Sequence, residues 1–353
     1  MTGKKILLLA GEESGMIYAR ELMARLAGCE IRTYQDYGFE IADLAVFGFA
    51  AVLRRIFFFL KVKRTMERAI DEWQPDVVLS IDYPGLNLKL DAYAKKRGVK
   101  AVHVVCPQVW AWHQDRIPKV EAALDRLCCF FPFEPQIFRP GFAVFTGHPL
   151  TSQFDGLVRA PEAGRVALLP GSRKGEVMRI LPTLLEVAKR HPGLTFTIPA
   201  AHEKALGWIR SFKLPANVQV QLGGAREVML KSICGVVASG TATLEAAFCK
   251  CPTILVYRVS ALLAAFLRRA FATTGIKHVG LANIIWDKCG GEGEQPMPEL
   301  LQEDFTVEAV CRELDKWLDD AGEREKQSVL LEKTVALLRS EGDPIENIVE
   351  QIR

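Results

Sequence analysis

Two segments of the sequence join an apolar run to small residues and then to a helical pattern, as anion-binding turns do. Leu168–Leu169 runs into Pro-Gly-Ser-Arg before a helix predicted to start near Gly175, and Val236–Ala238 runs into Ser-Gly-Thr. Backbone N–H groups at a helix start bind oxyanions such as a diphosphate, and an arginine adds a charge-assisted hydrogen bond. A plain turn with a surface arginine is the alternative for the first segment. The residues predicted to contact the anion are Gly171, Ser172, Arg173, Ser239, Gly240 and Thr241.

Two acidic residues occupy positions where carboxylates do chemistry in parallel α/β proteins. Asp82 follows the apolar run Val77–Ile81, so it could act as a general base at the end of a strand or simply cap the following turn. Glu245 lies one helical turn after Thr241 and could accept both hydroxyls of a ribose. The helix dipole alone also favours an acid at that position. The spacing leaves both alternatives open for each residue.

The predicted anion-binding and acidic residues can come together only if the strands before them are parallel and end at the same edge of a sheet. Apolar runs followed by turn signals and helical periods recur along the chain, which is typical of βα units. The sequence predicts two α/β domains, residues 1–150 and 151–353, with a linker within 148–164 and helices after Thr306. A cleft between the halves is the default active site. The predicted strands are Ile6–Ala10, Val77–Ile81, Ala101–Val105, Val166–Leu169, Leu194–Ile198, Val218–Leu222, Gly235–Ala238 and Thr253–Tyr257.

Composition and missing motifs exclude several classes of protein. The 353 residues include 49% hydrophobic and 25% charged side chains with a net charge of +3, which offers no global basic field for nucleic acid. The sequence contains no G-x-G-x-x-G, Walker A, C-x-x-C or H-E-x-x-H motif, so we expect neither a bound cofactor nor a metal. Nine cysteines without a secretory leader indicate reduced thiols and a cytoplasmic protein. The longest charge-free apolar stretch in the first half, residues 44–53, is too short to span a membrane.

The segment Leu44–Met66 contains no acidic residue but carries five basic side chains and several phenylalanines. On a helix the apolar and basic residues fall on different faces, which is the pattern of a helix lying in a membrane interface. A second acid-free stretch, Ala246–Trp286, interleaves apolar residues with Arg268 and Arg269. A helix buried in a core is the alternative for both stretches. The residues predicted to contact an anionic membrane surface are Phe49, Leu53, Arg54, Phe57, Phe58 and Lys61.

Short motifs in a fixed order run through nearly the whole chain. The two most specific are Val-Trp-Ala-Trp at Val109–Trp112 and Leu-Pro-Gly-Ser-Arg at Leu169–Arg173. The others are Gly11–Gly15, Ile81–Pro84, Phe131–Glu134, Gly147–His148, Ala238–Glu245 and Leu281–Asn283. Together they resemble the lipid-A-disaccharide synthases, membrane-associated glycosyltransferases of lipid A assembly.

The resemblance implies a GT-B fold, in which two Rossmann-like domains face a cleft, the second binding UDP and the first the acylated acceptor. It implies inverting, metal-independent condensation of UDP-2,3-diacylglucosamine with 2,3-diacylglucosamine 1-phosphate to a β-1,6-linked disaccharide 1-phosphate and UDP. By matched position, Asp82 resembles the catalytic base and Arg173 an essential donor-site residue. Glu245 resembles the ribose ligand, and Asn283 lies in a motif near the donor. On the acceptor side the resemblance points to Glu12, Ser14, Gly15, Trp110, Arg116 and His148.

The resemblance also implies peripheral association with the cytoplasmic side of the inner membrane and a tendency to form homodimers. Four residues depart from the family pattern, which usually has Asp, a second acid, Arg and Pro at these positions: Met16, Gly85, His113 and Ala282. The region between Leu26 and Ile41 is also shorter than in the family. Two alternatives stay open. They are another GT-B enzyme acting on a UDP-sugar and a lipid-linked acceptor, and an inactive paralogue that binds acylated sugars.

Overall fold

The chain forms two compact units in a computed structural model, which describes residues 3–44, 55–111, 114–260, 263–264 and 275–353. The first unit is Met1–Ser152 together with Leu338–Arg353, and the second is Gln153–Leu337. The sequence analysis assigned residues 338–353 to the second domain. That assignment is wrong, because Ile348 and Ile352 of the last helix are buried in the core of the first unit.

The first unit is built on a six-stranded sheet with the order β2-β1-β3-β4-β5-β6, and all its neighbouring strands are parallel. Successive side chains of β1 point to opposite faces, and helices cover both faces. Ile6 and Leu8 therefore lie in one hydrophobic core, whereas Leu7 and Leu9 lie in another. The strands are β1 Lys5–Ala10, β2 Glu30–Thr33, β3 Val77–Ile81, β4 Lys100–Val104, β5 Arg126–Cys129 and β6 Ala143–Phe145.

Helices of the first unit supply the apolar faces that these cores need. The long helix at residues 56–73, for example, buries Val62, Met66 and Ile70 beneath the sheet. The last helix begins at Pro344, with Asp343 as its N-cap residue accepting two backbone N–H groups. The helices from the start of the chain to the end of α6, together with the C-terminal helix, are α1 Glu13–Arg25, α2 Ile41–Leu44, α3 Ile56–Trp73, α4 Pro84–Lys96, α5 Ile117–Ala123, α6 Leu150–Phe154 and α14 Pro344–Ile352.

The second unit repeats this plan with a parallel sheet of order β12-β11-β10-β7-β8-β9. One hydrophobic core of this unit joins the sheet to the helices at residues 174–190 and 307–319, as Leu184 and Leu314 illustrate. Its strands are β7 Arg165–Leu169, β8 Thr195–Ala200, β9 Val218–Leu222, β10 Cys234–Ala238, β11 Thr253–Tyr257 and β12 Glu299–Leu301. Its helices are α7 Lys174–Arg190, α8 Glu203–Arg210, α9 Ala225–Lys231, α10 Thr241–Phe248, α11 Leu281–Lys288, α12 Val307–Asp319 and α13 Ala321–Ala336.

Each sheet has a point where the strand order reverses direction. In the first unit this point lies between β1 and β3, which pair Ala10 with Ile81 at their carboxyl ends. In the second it lies between β7 and β10, which pair Leu169 with Val237. Open α/β sheets bind their ligands at the carboxyl ends of strands beside such a switch point. The topology therefore selects the turns after β1, β3, β7 and β10.

The prediction of two parallel α/β units is confirmed, and all eight predicted strands are present with small shifts at their ends. The predicted helices after Thr306 are also confirmed. Four strands were not predicted, namely β2, β5, β6 and β12. Three of them, β2, β6 and β12, lie at sheet edges, are only partly buried and have just four, three and three residues, so they are too short to stand out in the sequence.

Candidate active site

Asp82 lies directly after β3 in a turn with an unusual backbone. Asp82 (φ 52°) and Tyr83 (φ 55°) are both in the left-handed conformation, which costs about 1–3 kcal/mol at each non-glycine residue. The Asp82 N–H donates to the Val104 carbonyl (2.9 Å), and the Asp82 carboxylate accepts the Tyr83 N–H (2.8 Å). The side chain is half-buried. The surrounding structure therefore holds a carboxylate on a strained backbone turn at the switch point of the first sheet.

The glycine that follows β1 packs against the same turn. A Cβ atom at Gly11 would lie 2.6 Å from the Tyr83 ring, so the ring can occupy this place only because residue 11 is glycine. The Tyr83 hydroxyl donates to the Leu44 carbonyl (2.8 Å). Burial, with the nearby Glu12 carboxylate as a smaller cause, raises the pKa of Tyr83 to about 12. Tyr83 thus joins the turns after β1 and β3.

Asn87 is a residue of this site that the sequence analysis missed. It is fully buried on α4, and its Nδ2 group donates to the carbonyls of Asp82 (2.8 Å) and Leu9 (3.0 Å), with a longer contact to Ile81 (3.4 Å). Its Oδ1 accepts the hydroxyl of Tyr34 (2.7 Å). One buried amide therefore ties the ends of β1 and β3 to the Asp82 turn. The signal in the sequence is an asparagine on the apolar face of a helix.

Two of the predicted acceptor-side residues lie at the start of α1, and a third follows β4. Glu12 is half-buried at the N-cap of α1, and Gly15 is buried where a Cβ atom would lie 3.4 Å from Ile81. Arg116 is exposed at the N-cap of α5. The structure thus brings Glu12 and Gly15 close to the Asp82 turn. The side chain of Ser14 lies outside the described part of the chain.

Trp110 and His148, also predicted to lie on the acceptor side, are each only 5% exposed. The Trp110 Nε1–H donates to Glu134 (3.1 Å), and its ring packs edge-on against Phe133. The His148 ring lies 5.1 Å from that of Phe130. Burial lowers the pKa of His148 to about 3, so its imidazole is neutral. Both side chains pack inside the first unit.

Cys106, Cys129 and Glu134 are the one group of possible metal ligands found among the described residues, with ligand atoms within 4.8 Å of one another. The two Glu134 oxygens already accept N–H groups, from Trp110 and Phe131 (both 3.1 Å). Burial raises the pKa of Glu134 to about 8 and also raises the pKa of both thiols. We therefore interpret this group as a hydrogen-bonded core cluster.

The turn after β7 has the geometry of an anion site that the chain fills itself. Gly171 (φ 104°) has no room for a side chain, because a Cβ atom would lie 2.5 Å from the Glu176 carboxylate. Glu176 Oε2 accepts the N–H groups of Ser172 (3.1 Å) and Arg173 (3.2 Å), and Oε1 accepts the Arg173 guanidinium (3.0 Å). The predicted anion donors thus hold a carboxylate. The sequence analysis did not give Glu176 this role, although its spacing from Arg173 is that of a capping box.

The turn after β10 is the more open of the two. Gly240 (φ 150°, ψ −165°) has a conformation that essentially only glycine adopts. Gly240 and Thr241 are exposed at the start of α10, and Ser239 is half-buried beside them. Burial raises the pKa of Glu245, while the charge of Arg226 lowers it. The predicted ribose ligand is therefore half-buried, one turn behind an accessible helix N-terminus.

Asn283, predicted to bind the donor, is 1% exposed and fully engaged within the protein. Its Nδ2 group donates to the Met297 carbonyl (2.8 Å) and to Glu299 (2.9 Å), and its Oδ1 accepts the Met297 N–H (2.9 Å). The Glu299 carboxylate also accepts the N–H groups of Val279 and Gly280 just before α11. Both amide protons thus fix this loop, and the donor-binding role of Asn283 stays a prediction.

The first turns of α3 expose apolar and basic side chains together. Phe57 is 82% exposed, with Ile56 (44%) and Leu60 (42%) beside it, and Lys61 is exposed too. Phe58, also predicted to contact the membrane, has a half-buried ring that packs edge-on against two other phenylalanines of the first unit. Three further predicted contact residues lie outside the described residues: Phe49, Leu53 and Arg54.

No helix in the described part of the chain combines the length and apolar character needed to cross a membrane. The helix α3 has 18 residues but carries several charged side chains along its length. Its apolar exposure is therefore confined to the first turns, around Phe57.

Comparison with known proteins gives a consistent result. The model of the family described as lipid-A-disaccharide synthetase matches residues 6–352. A lipid-A-disaccharide synthase of Geobacter metallireducens is 30% identical over 371 residues, covering 96% of this chain and 94% of the relative. One from Syntrophus aciditrophicus is 33% identical over 346 residues, covering 89% and 88%.

Solved structures with low sequence identity share the fold. The kitacinnamycin glycotransferase superposes with a TM-score of 0.62 at 15% identity, covering 100% of both chains. The UDP-GlcNAc 2-epimerase of Neisseria meningitidis superposes with a TM-score of 0.59 at 12% identity, covering 99% of both chains. The GT-B prediction is confirmed by these likenesses together with the two parallel sheets. With the family match over nearly its whole length, the chain belongs to the lipid-A-disaccharide synthetase family, glycosyltransferases of lipid A assembly.

Proposed function

We propose that the chain transfers a 2,3-diacylglucosaminyl group from UDP-2,3-diacylglucosamine to the 6-hydroxyl of 2,3-diacylglucosamine 1-phosphate, with inversion at the anomeric carbon. Membership of the family supports a lipid A glycosyltransferase. The observation that carries the proposal is that each switch point presents a different chemical group. At the first, the Asp82 carboxylate lies on a strained backbone turn, and at the second, the turn Gly171–Arg173 binds a carboxylate through its N–H groups.

Asp82 is the proposed general base on the acceptor side. An inverting transfer is a single displacement, in which a carboxylate removes the proton of the attacking hydroxyl. As the acceptor oxygen forms its bond to the anomeric carbon, the bond from that carbon to the diphosphate oxygen breaks. The proton passes to the Asp82 carboxylate, and UDP leaves with the bonding electrons. The left-handed turn supports this role because it holds the carboxylate in one place before substrate binds.

The turns after β7 and β10 are the proposed donor site. Negative charge that develops on the leaving diphosphate needs hydrogen-bond donors already in position. The N–H groups of Ser172 and Arg173, with the Arg173 guanidinium, now hold the Glu176 carboxylate and could hold a phosphate oxygen in its place. We assign Glu245 to the ribose hydroxyls. No step of this scheme requires a metal ion or a cofactor.

A product assay with the two acylated substrates tests the proposal. We expect a β-1,6-linked disaccharide 1-phosphate and UDP, identified by mass spectrometry and by the anomeric coupling in NMR. The rate should be the same with and without EDTA, because hydrogen-bond donors of the protein stabilise the negative charge of the leaving diphosphate. An α-linked product would contradict inversion, and loss of activity in EDTA that magnesium restores would contradict the metal-independent scheme. UDP-N-acetylglucosamine without acyl chains is the matched control donor.

We further propose that the start of α3 contacts an anionic membrane, as a peripheral protein on the cytoplasmic side of the inner membrane. Both proposed substrates carry acyl chains, so they must be drawn from a bilayer. Phe57 and Leu60 supply exposed apolar surface, and Lys61 and Arg64 supply exposed positive charge on the same helix. The homodimer implied by the family resemblance stays a prediction.

Changing Phe57 and Leu60 together to serine is expected to weaken binding to anionic vesicles by about tenfold or more, since each apolar side chain contributes ~1.5–3 kcal/mol when buried. Vesicle flotation measures the bound fraction. High salt should release the wild-type protein only partly, because screening removes the basic contribution and leaves the apolar one. Val158→Ser, at a position 81% exposed in the second unit, is the matched control and should change nothing. Unchanged binding of the double variant would refute the proposal.

A further inference from the structure

The Asp82 turn needs a partner that keeps it in place. Its two left-handed residues are followed immediately by Pro84 at the start of α4, so the chain must change direction within this turn. The Asp82 N–H is held by Val104, and the Tyr83 N–H of the next peptide is held by the Asp82 carboxylate, which moves with that peptide. Rotation there would turn the Cα–Cβ bond of Asp82 and move its carboxylate. The carbonyl of Asp82 is the atom through which such rotation can be stopped.

Asn87 holds that carbonyl. Its Nδ2 lies 2.8 Å from the Asp82 oxygen, the shortest of its three carbonyl contacts, and the same group donates to Leu9 at 3.0 Å. The amide cannot turn over, because Tyr34 donates its hydroxyl to Oδ1 at 2.7 Å. Tyr34 and Asn87 are both 0% exposed, so water does not compete for these bonds. The orientation of the Asn87 amide is thus fixed by hydrogen bonds at both its Oδ1 and its Nδ2 atoms.

We propose that Asn87 is a positioning residue for the transfer reaction, whose buried amide fixes the Asp82 turn and so aims the carboxylate at the acceptor hydroxyl. The inference rests on the proposed function, in which Asp82 is the general base. Asn87 touches no substrate in this proposal. It acts through the Asp82 carbonyl, and Tyr34 acts through Asn87.

The main test is Asn87→Asp, which keeps the shape of the side chain but puts an oxygen opposite three carbonyl groups. We expect kcat to fall about 10- to 100-fold, the scale of a small misplacement of a catalytic group. The affinity for UDP should stay within about twofold of wild type, since the donor site is proposed in the other unit. Isothermal calorimetry measures UDP binding, and the product assay measures kcat.

Asn217 provides a matched control in the second unit. Its Nδ2 group also contacts three carbonyls, those of Ala188, His191 and Leu194 (2.9, 3.0 and 3.1 Å), but it lies just before the amino end of β9. Asn217→Asp should therefore lower Tm without lowering kcat by more than about twofold. If Asn87→Asp also changes only Tm, Asn87 is structural and the inference is wrong.

A double-mutant cycle separates this inference from the proposed function. If Asn87 acts through Asp82, Asp82→Asn with Asn87→Asp should be no slower than Asp82→Asn alone. Additive losses would overturn the inference while leaving Asp82 as the base. Full turnover by Asp82→Asn would instead overturn the proposed function. Should Asn87→Asp not fold, Tyr34→Phe decides: we expect kcat about threefold to tenfold lower, again with no added loss in the Asp82→Asn background, and unchanged kcat overturns the inference.

Discussion

Asp82→Asn is expected to lower turnover by at least ~10² while the protein binds UDP with near-native affinity. The amide has nearly the same shape as the carboxylate, and its oxygen can still accept the Tyr83 N–H, which holds the turn at 2.8 Å. It cannot accept the proton of an attacking hydroxyl. Steady-state rates of disaccharide formation, with UDP binding by calorimetry, measure the two effects separately.

The matched control for this variant is Asp36→Asn. Asp36 is an exposed carboxylate of the same unit that also stabilises a local turn, accepting the Thr33 N–H at 2.7 Å. It should cost at most ~1 kcal/mol of stability and leave turnover unchanged. If Asp82→Asn loses less than tenfold in rate, or loses activity only in step with Tm, then Asp82 is a turn-stabilising residue and the base lies elsewhere.

Arg173→Ala should weaken UDP binding by about 10- to 100-fold and lower kcat as well, because a charge-assisted contact is lost from both the ground state and the transition state. Its guanidinium is 63% exposed and donates to Glu176 at 3.0 Å. Removing it leaves Glu176 with its two backbone N–H bonds. The fold should therefore survive, and calorimetry with UDP reports the lost contact.

Arg190→Ala is the matched control at the other end of α7. Arg190 is also an exposed arginine paired with one glutamate, Glu308, at 2.7 Å. An exposed pair of this kind contributes little to stability, so the variant should bind UDP as the wild type does. Equal UDP affinity in Arg173→Ala and Arg190→Ala would show that Arg173 has been assigned to the wrong site.

The sequence predicted most of the central strands because a strand covered on both faces is mainly apolar. Val77–Ile81 and Thr253–Tyr257 are of this kind, whereas the central strand Arg126–Cys129 is too short to show the pattern. Edge strands such as Glu30–Thr33 carry no such signal, because one side of them faces solvent. The last helix shows a different limit. Its period predicts a buried face at Ile345 and Ile348 but does not say which sheet covers it.

The sequence predicts those residues of the candidate site that directly follow a recognisable strand. Asp82, Gly171 and Gly240 all follow central strands, where position alone indicates function. What spacing cannot show is whether a polar group is already partnered. Asn283 has both amide protons engaged within the chain, and Glu176 occupies the turn that was predicted to contact an anion. Such partners come from side-chain packing, which depends on residues distant in sequence.

The return of residues 338–353 to the first unit affects how the protein is made. Domains usually fold in order as the ribosome releases them, the N-terminal one first. Here the second unit has all of its residues once Leu337 has emerged, while the first still lacks Ile345, Ile348 and Ile352 of its core. Until then, the apolar face of the first sheet that α14 will cover stays open on the nascent chain. The half that is translated first is therefore the half that is completed last.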